Sequence, residues 1–112
     1  MRIDKQERDD VTVFVLEGRV DNDGAVDLDR ALLAAVSAGN YRLVLEMAQV
    51  RYINSAGLRI LADILTQTRE HNGDLKLADP NPKVKRVFQI IGFDNFFITY
   101  DTLEEAVTAF SI

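Results

Sequence analysis

Two kinds of apolar pattern alternate along the chain, and each predicts a different secondary structure. Short runs that are almost continuously apolar, or that alternate with polar residues, are typical of strands. They occur at 2–7, 11–16, 42–47, 75–78 and 96–100. The 11–16 run is β-branched and aromatic with hardly a polar position, which predicts a strand buried on both faces.

Between and after these runs, apolar residues recur every three or four positions, which predicts four amphipathic helices. The recurring positions are Leu28, Leu32, Ala35 and Val36; Leu58, Leu61, Ile64 and Leu65; Val84, Val87, Phe88 and Ile91; and Leu103, Ala106, Val107 and Phe110. Gly39, the stretch 71–73 and Gly92 are stop signals for the first three helices. Thr102 and Glu105 have the spacing of a capping box, which starts the last helix.

The resulting order is one strand followed by four strand–helix pairs. Such alternation implies parallel crossover connections and an α/β layer structure. We therefore expect a mixed, mostly parallel sheet of about five strands with about four helices, in one domain over 1–112. The first two strands are expected to form an antiparallel hairpin at one edge, with Gly18 ending the second and a loop at 19–24.

Charge and composition narrow the range of functions. The net charge is −5, which argues against nucleic acid as a partner, because phosphate backbones bind basic faces. The densest basic group, Lys83, Lys85 and Arg86, is interpreted as the solvated side of one helix. The chain has no cysteine and no apolar run of membrane-spanning length, so we expect a cytoplasmic protein without direct membrane insertion.

Enzymatic interpretations find little support in the residues. The one histidine, His71, lies at the predicted end of a helix, far from Ser55 at its start, so a Ser-His-acid triad has no base within reach. No phosphate-binding glycine motif is present. The 21–24 stretch resembles a calcium loop only superficially, because Arg19 and Arg30 occupy positions that need acidic ligands. We predict no catalytic, cofactor-binding or metal-binding residues.

Two loops remain as the candidate site. Asp21 and Asn22 follow one parallel strand and Ser55 follows the next, so they are expected to meet at the carboxyl edge of the sheet. Ser55 has two interpretations. It caps the helix, as serines often do, or Asn54 caps instead and Ser55 is left free at a helix N-terminus able to receive a phosphate. Gly57, unfavourable inside a helix, suggests a backbone that another molecule approaches closely.

Three motifs stand out along the chain: LEGRVD at 16–21, YINSAGLR at 52–59 and FITYDTLEEA at 97–106. Through them the sequence resembles a family, the STAS domains, and within it the stand-alone bacterial anti-sigma factor antagonists. The resemblance covers almost the whole chain, and the second motif is its most specific part. The resemblance implies the STAS fold.

The resemblance also implies a phosphorylation switch with Ser55 as the phospho-acceptor. The partner would be both an anti-sigma factor and a serine kinase of the histidine-kinase-like ATPase fold. It would bind the unphosphorylated protein, and a PP2C-type phosphatase would reverse the modification. Many family members carry Asp in place of Asn54 and Ser in place of Ala56. The residues expected at the partner interface are Asp21, Asn22, Asn54, Ala56, Gly57, Leu58 and Arg59.

Two other roles stay open for such a chain. One is a subunit of an ABC-type lipid or solute transport system, in which Ser55 would be a structural cap. The other is a scaffold component of another partner-switching assembly. The oligomeric state is expected to be a monomer or a weak homodimer.

Overall fold

The structure is a computed structural model that describes residues 1–111. Five strands form one sheet in the order β1-β2-β3-β4-β5, which confirms the predicted mixed α/β fold. β1 pairs antiparallel with β2, and the other neighbours are parallel. The strands are β1 (Arg2–Arg8), β2 (Val11–Val20), β3 (Arg42–Ile53), β4 (Asp74–Ala78) and β5 (Thr99–Tyr100).

Four α-helices alternate with the strands in the predicted order. They are α1 (Asn22–Ser37), α2 (Ser55–Glu70), α3 (Pro82–Ile91) and α4 (Leu103–Thr108), with 3-10 turns at Phe93–Asn95 and Ala109–Ser111. None of the helices in residues 1–111 has the length and apolar character needed to cross a membrane. Gly39 and Gly92 follow α1 and α3 with φ of 87° and 81°, as stop signals should.

The sheet separates two apolar clusters of unequal size. One face carries α1, α2 and α3, whose buried residues include Leu28, Leu61 and Phe88. The opposite face carries the short α4, which buries Ala106 and Val107 against Val11, Val13 and Val44. The apolar positions of β2 therefore face both clusters, which confirms its predicted burial on both sides.

Two strands are longer than the sequence predicts. Gly18 does not end β2. It lies at a register shift against β3 with φ of 118°, so it forms a bulge through which the strand continues to Val20. β3 likewise continues past residue 47 to Ile53. The predicted loop at 19–24 is therefore wrong: it contains the end of β2, the cap of α1 and the first residues of that helix.

The predicted strand at 96–100 is also mostly wrong. Only Thr99 and Tyr100 pair with β4, and a 3-10 turn precedes them. Phe97 is buried instead in an aromatic group, with its ring 5.7 Å from Phe93 and 5.9 Å from Phe88. Apolar side chains at this point pack around the end of α3, so a run that looks like a strand forms an irregular segment.

Candidate functional site

Two helix N-termini lie side by side at the carboxyl edge of the sheet. β2 and β3 are neighbouring parallel strands, and their last residues, Val20 and Ile53, are paired in register. The Asn54 amide donates to the Val20 carbonyl at 2.9 Å, which joins the two chain segments as they leave the sheet. The predicted meeting of the two loops is thus confirmed.

Side chains from both loops cap these helices. Asp21 caps α1, with its Oδ1 accepting from the Gly24 amide at 2.9 Å. Asn54 caps α2, with its Oδ1 accepting from the Gly57 amide at 2.9 Å, while its Nδ2 donates to Asn22 Oδ1 at 2.9 Å. One amide group therefore caps its own helix and bridges to the first residue of the other.

Ser55 is the first residue of α2, and its side chain is exposed. The interpretation of Ser55 as the helix cap is wrong, because Asn54 has the extended cap conformation and makes the capping bond. This placement leaves the Ser55 hydroxyl outside the cap and open to solvent. A residue at this position also lies next to the partial positive charge of the helix N-terminus.

Gly57 is explained by packing inside the protein rather than by an approaching molecule. It is buried, and a Cβ at this position would lie 2.5 Å from Val20 Cγ1 and 2.9 Å from Ile53 Cγ1. The missing side chain lets the first turn of α2 rest directly on the ends of β2 and β3. Leu58 is also buried, with 9% of its surface exposed. In the free protein, Gly57 and Leu58 therefore lie beneath the exposed residues of the site.

We expect Gly57→Ala to destabilise the fold by about 1–3 kcal/mol, because the new methyl group overpacks the helix against two buried side chains. The free energy of unfolding from urea titration measures this. Ser55→Ala is the control, since Ser55 is exposed in the same turn and should change stability little. Equal stabilities of the two variants would show that the close contact at Gly57 is relieved at no cost.

The bond from Asn54 leads to a second prediction. Asn54→Ala removes the cap and the bridge to Asn22, and should destabilise the protein by about 1 kcal/mol. Asn54→Asp retains an oxygen acceptor for the Gly57 amide, and the Asn22 amide can turn so that its Nδ2 donates to the second carboxylate oxygen. This variant should therefore stay within about 0.5 kcal/mol of the original. Thermal or urea unfolding of both variants measures the difference. An Asp variant as unstable as the Ala variant would contradict the capping role.

The surface around Ser55 contains a pair that sequence reasoning missed. The Arg19 guanidinium lies 4.4 Å from the centre of the Tyr52 ring, and 41% of Tyr52 is exposed. Arg19 and Tyr52 are paired in register between β2 and β3. The sequence did not predict this contact because both residues lie beyond the predicted ends of these strands. Tyr52 also lines a shallow depression together with Asp21, Asn22, Asp23 and Asn54.

The other residues predicted for the interface differ in exposure and in their contacts. Asn22 and Arg59 are exposed, and Ala56 is half-buried against the core. Asp21 is exposed, but its carboxylate is occupied by the α1 amide, and Asn22 makes the side-chain contact with the Asn54 segment. The charged groups here, including Asp21, Asp23, Arg19 and Arg59, are of both signs.

His71 lies far from Ser55. It follows the last residue of α2, so about 24 Å of helix separates it from Ser55. Its ring stacks on Tyr41 at 4.1 Å, and its Nδ1 lies 2.9 Å from the Gln67 carbonyl. Within residues 1–111, no three His, Asp or Glu side chains are grouped closely enough to hold a metal ion. The site presents the exposed Ser55 beside a shallow, polar depression.

The family model described as STAS domain matches residues 2–106, and the chain belongs to this family. The chain is 34% identical over 110 residues to BtrV of Bordetella bronchiseptica, covering 98% of this chain and 95% of that one. The name of BtrV assigns it provisionally to the anti-sigma factor antagonists. The recognition of the family from its motifs is thereby confirmed.

Solved structures agree with this assignment. An anti-sigma factor antagonist from Mycobacterium paratuberculosis superposes with a TM-score of 0.87 at 29% identity, covering 96% of this chain and 92% of that chain. The unphosphorylated form of the anti-sigma factor antagonist SpoIIAA gives a TM-score of 0.84 at 19% identity, covering 98% and 96%. Its phosphorylated form, from Bacillus, gives a TM-score of 0.76 over 96% and 98%. SpoIIAA therefore shares the fold.

Proposed function

We propose that this protein is an anti-sigma factor antagonist that is switched by phosphorylation of Ser55. Unphosphorylated, it binds an anti-sigma factor that is also a serine kinase of the histidine-kinase-like ATPase fold, and so frees a sigma factor for transcription. Phosphorylation releases it, and a PP2C-type phosphatase restores it. In this proposal the chain acts in the cytoplasm as one domain over 1–112, and as a binding module rather than an enzyme.

One observation carries the proposal. Ser55 is exposed at the first position of α2 while Asn54 makes the cap, so the hydroxyl is available to a kinase without loss of a structural bond. The names of BtrV and of the Mycobacterium paratuberculosis protein support the wider function. SpoIIAA, which shares the fold, has a phosphorylated form.

The fold is suited to accept a phosphate without rearranging. A phosphate adds about −1.5 to −2 charges at neutral pH. At the start of α2 this charge is next to the positive end of the helix dipole and next to backbone amides, which favours it. The Asn54–Asn22 bridge is neutral and adds no repulsion, while Asp21 and Asp23 bring negative charge and Arg19 brings positive charge to the same edge. The free protein should therefore keep its structure in both states.

A bound partner responds differently to the same charge. In the proposed complex, the partner packs over Ser55 and the residues that present surface around it, which are Asp21, Asn22, Asn54, Ala56 and Arg59. Gly57 and Leu58 are buried beneath that surface, and the missing side chain of Gly57 lets α2 lie close to the strand ends. A phosphate between two close surfaces clashes sterically and leaves charge without water, which costs several kcal/mol.

The test is direct binding. Each histidine-kinase-like ATPase of the source organism is titrated with the unphosphorylated protein in an isothermal calorimeter. We expect one of them to bind at a ratio of one protein per kinase chain, and Arg59→Glu to weaken that binding. Arg30→Glu, on the exposed side of α1, serves as the charge-matched control and should bind normally. Absence of binding to every such ATPase would overturn the proposed function.

A further inference from the structure

The stretch 90–98, far from Ser55, exposes many large apolar side chains for a free protein. Seven large apolar side chains are exposed among the described residues, and four of them lie within the nine residues 90–98. Their exposed fractions are 70% for Ile90, 45% for Ile91, 59% for Phe96 and 44% for Ile98. Concentrations of exposed apolar surface of this kind mark interaction sites.

The same segment leads into a short edge strand without charged residues. Within residues 1–111, β5 is the last strand of the sheet and pairs with β4 alone. Edge strands are protected by charged residues, by proline or by being very short, and of these β5 has only its length of two residues. The opposite edge, β1, follows this rule, with five charged residues among its seven. The sequence around β5, FFITY at 96–100, contains none and is rich in residues that favour strands.

The backbone of β5 has a donor and an acceptor facing outward. The carbonyls of Ile98 and Tyr100 accept from Leu77 and Asp79, so they point towards β4. Because both backbone groups of one residue point to the same side of a strand, and alternate residues point to opposite sides, Thr99 faces away from β4. Two antiparallel copies of β5 would exchange both hydrogen bonds between their Thr99 residues.

The charges beside this edge have both signs, as a self-complementary surface requires. Lys83, Lys85 and Arg86 are exposed on α3, which has no acidic residue, although cations in its first turns oppose the helix dipole. Asp94 and Asp101 are exposed on the segments on either side of Phe96–Tyr100. A two-fold axis places the same residues of both copies at one interface, so these opposite charges are available to pair across it.

The position of this edge leaves the phosphorylation site free. The Arg69 guanidinium, at the far end of α2 from Ser55, donates to the Phe96 carbonyl at 2.7 Å. Phe96 therefore lies beside the opposite end of a helix about 24 Å long. An interface centred on β5 does not cover the surface around Ser55.

We propose that the protein forms a symmetric homodimer through β5, with Phe96 and Ile98 of each copy packed against the other and the two sheets joined at Thr99. Stable dimers bury about 800 Å² per partner, contributed by 20–30 residues. The segment 90–98 with α3 supplies fewer, so the dimer is weak and forms as concentration rises. A second copy is the partner because the edge pairs with itself and both charge signs are present.

The test is sedimentation velocity on the full, unphosphorylated chain from about 5 µM to about 1 mM, a range that covers weak dissociation constants. We expect the mass to rise from 12.6 kDa towards twice that value. Phe96→Asp should raise the dimer dissociation constant at least tenfold. Val26→Asp, at a side chain 56% exposed on α1, is the matched control and should dimerise normally.

Thr99→Pro provides an independent check of the strand pairing. It removes only the outward amide, and proline is tolerated on the free side of an edge strand. We expect this variant to stay monomeric, and the Thr99 amide of the original protein to exchange more slowly as concentration rises. A monomer at every concentration, or a dimer that persists in both variants, would overturn the proposal. These measurements contain no kinase, so neither result tests the proposed phosphorylation of Ser55.

Discussion

Ser55→Glu is expected to lower the affinity for the anti-sigma factor by roughly a thousandfold without weakening the fold. A carboxylate fixed at the first position of α2 carries charge into the proposed interface, where an unpaired charge costs several kcal/mol, and every ~1.4 kcal/mol is a factor of ten. In the free protein the same charge is favoured by the helix dipole by about 0.3–1 kcal/mol. Calorimetric titration and urea unfolding measure the two effects separately.

Two further variants separate the position of the charge from its presence. Ser55→Ala should bind as tightly as the original protein, because the hydroxyl makes no cap. Ser37→Glu adds the same charge at an exposed serine near the end of α1 and should also bind normally. Tight binding by Ser55→Glu would mean that the partner does not pack over this residue.

Asp74→Ala is expected to give the largest loss of stability, about 3 kcal/mol. Asp74 Oδ2 accepts from Lys76 Nζ at 3.2 Å, and Oδ1 accepts from Arg69 Nε at 3.0 Å. The side chain of Lys76 is only 9% exposed, and its ammonium group lies 4.7 Å from the centre of the Phe110 ring. Removal of the carboxylate leaves this ammonium group buried without its anion. The free energy of unfolding in urea measures the loss.

Lys76→Met is the matched variant at this pair. It replaces the charge with an apolar chain of similar length, and Asp74 keeps its bond to Arg69. Such replacements are often neutral or stabilising, so a change within about 1 kcal/mol is expected. The double variant should recover most of the stability lost in Asp74→Ala. Equal losses in the single and double variants would show that the buried lysine is not the cause.

The order of strands and helices was predictable because each element buries its apolar residues with its own period. The ends of β2 and β3 were not predictable in the same way. Gly18 usually signals the end of a strand, yet here it forms a bulge, and only the pairing with β3 holds the chain extended beyond it. The prediction of a strand over 96–100 was wrong for a related reason. Phe97 packs in an aromatic group with Phe88 and Phe93 instead of lying in a strand paired with β4.

The motif was enough to identify Ser55 as the candidate residue. It was not enough to predict which of Asn54 and Ser55 caps α2. Asparagine and serine both cap helices well, so the local sequence leaves two arrangements open. In the structure Asn54 is the cap, and its side chain also bonds to Asn22, which is 32 positions away in the sequence. The packing role of Gly57 could not be predicted either, because its neighbours Val20 and Ile53 come together only in the folded sheet.

Intact-mass measurement after incubation with ATP tests the central claim most directly. The protein and its Ser55→Ala variant are each mixed with the histidine-kinase-like ATPases of the source organism. The account predicts one added phosphate on the original protein with one of these kinases, and none on the variant. A phosphate that persists on the variant, or a folded protein that no kinase modifies, would contradict the proposed switch at Ser55.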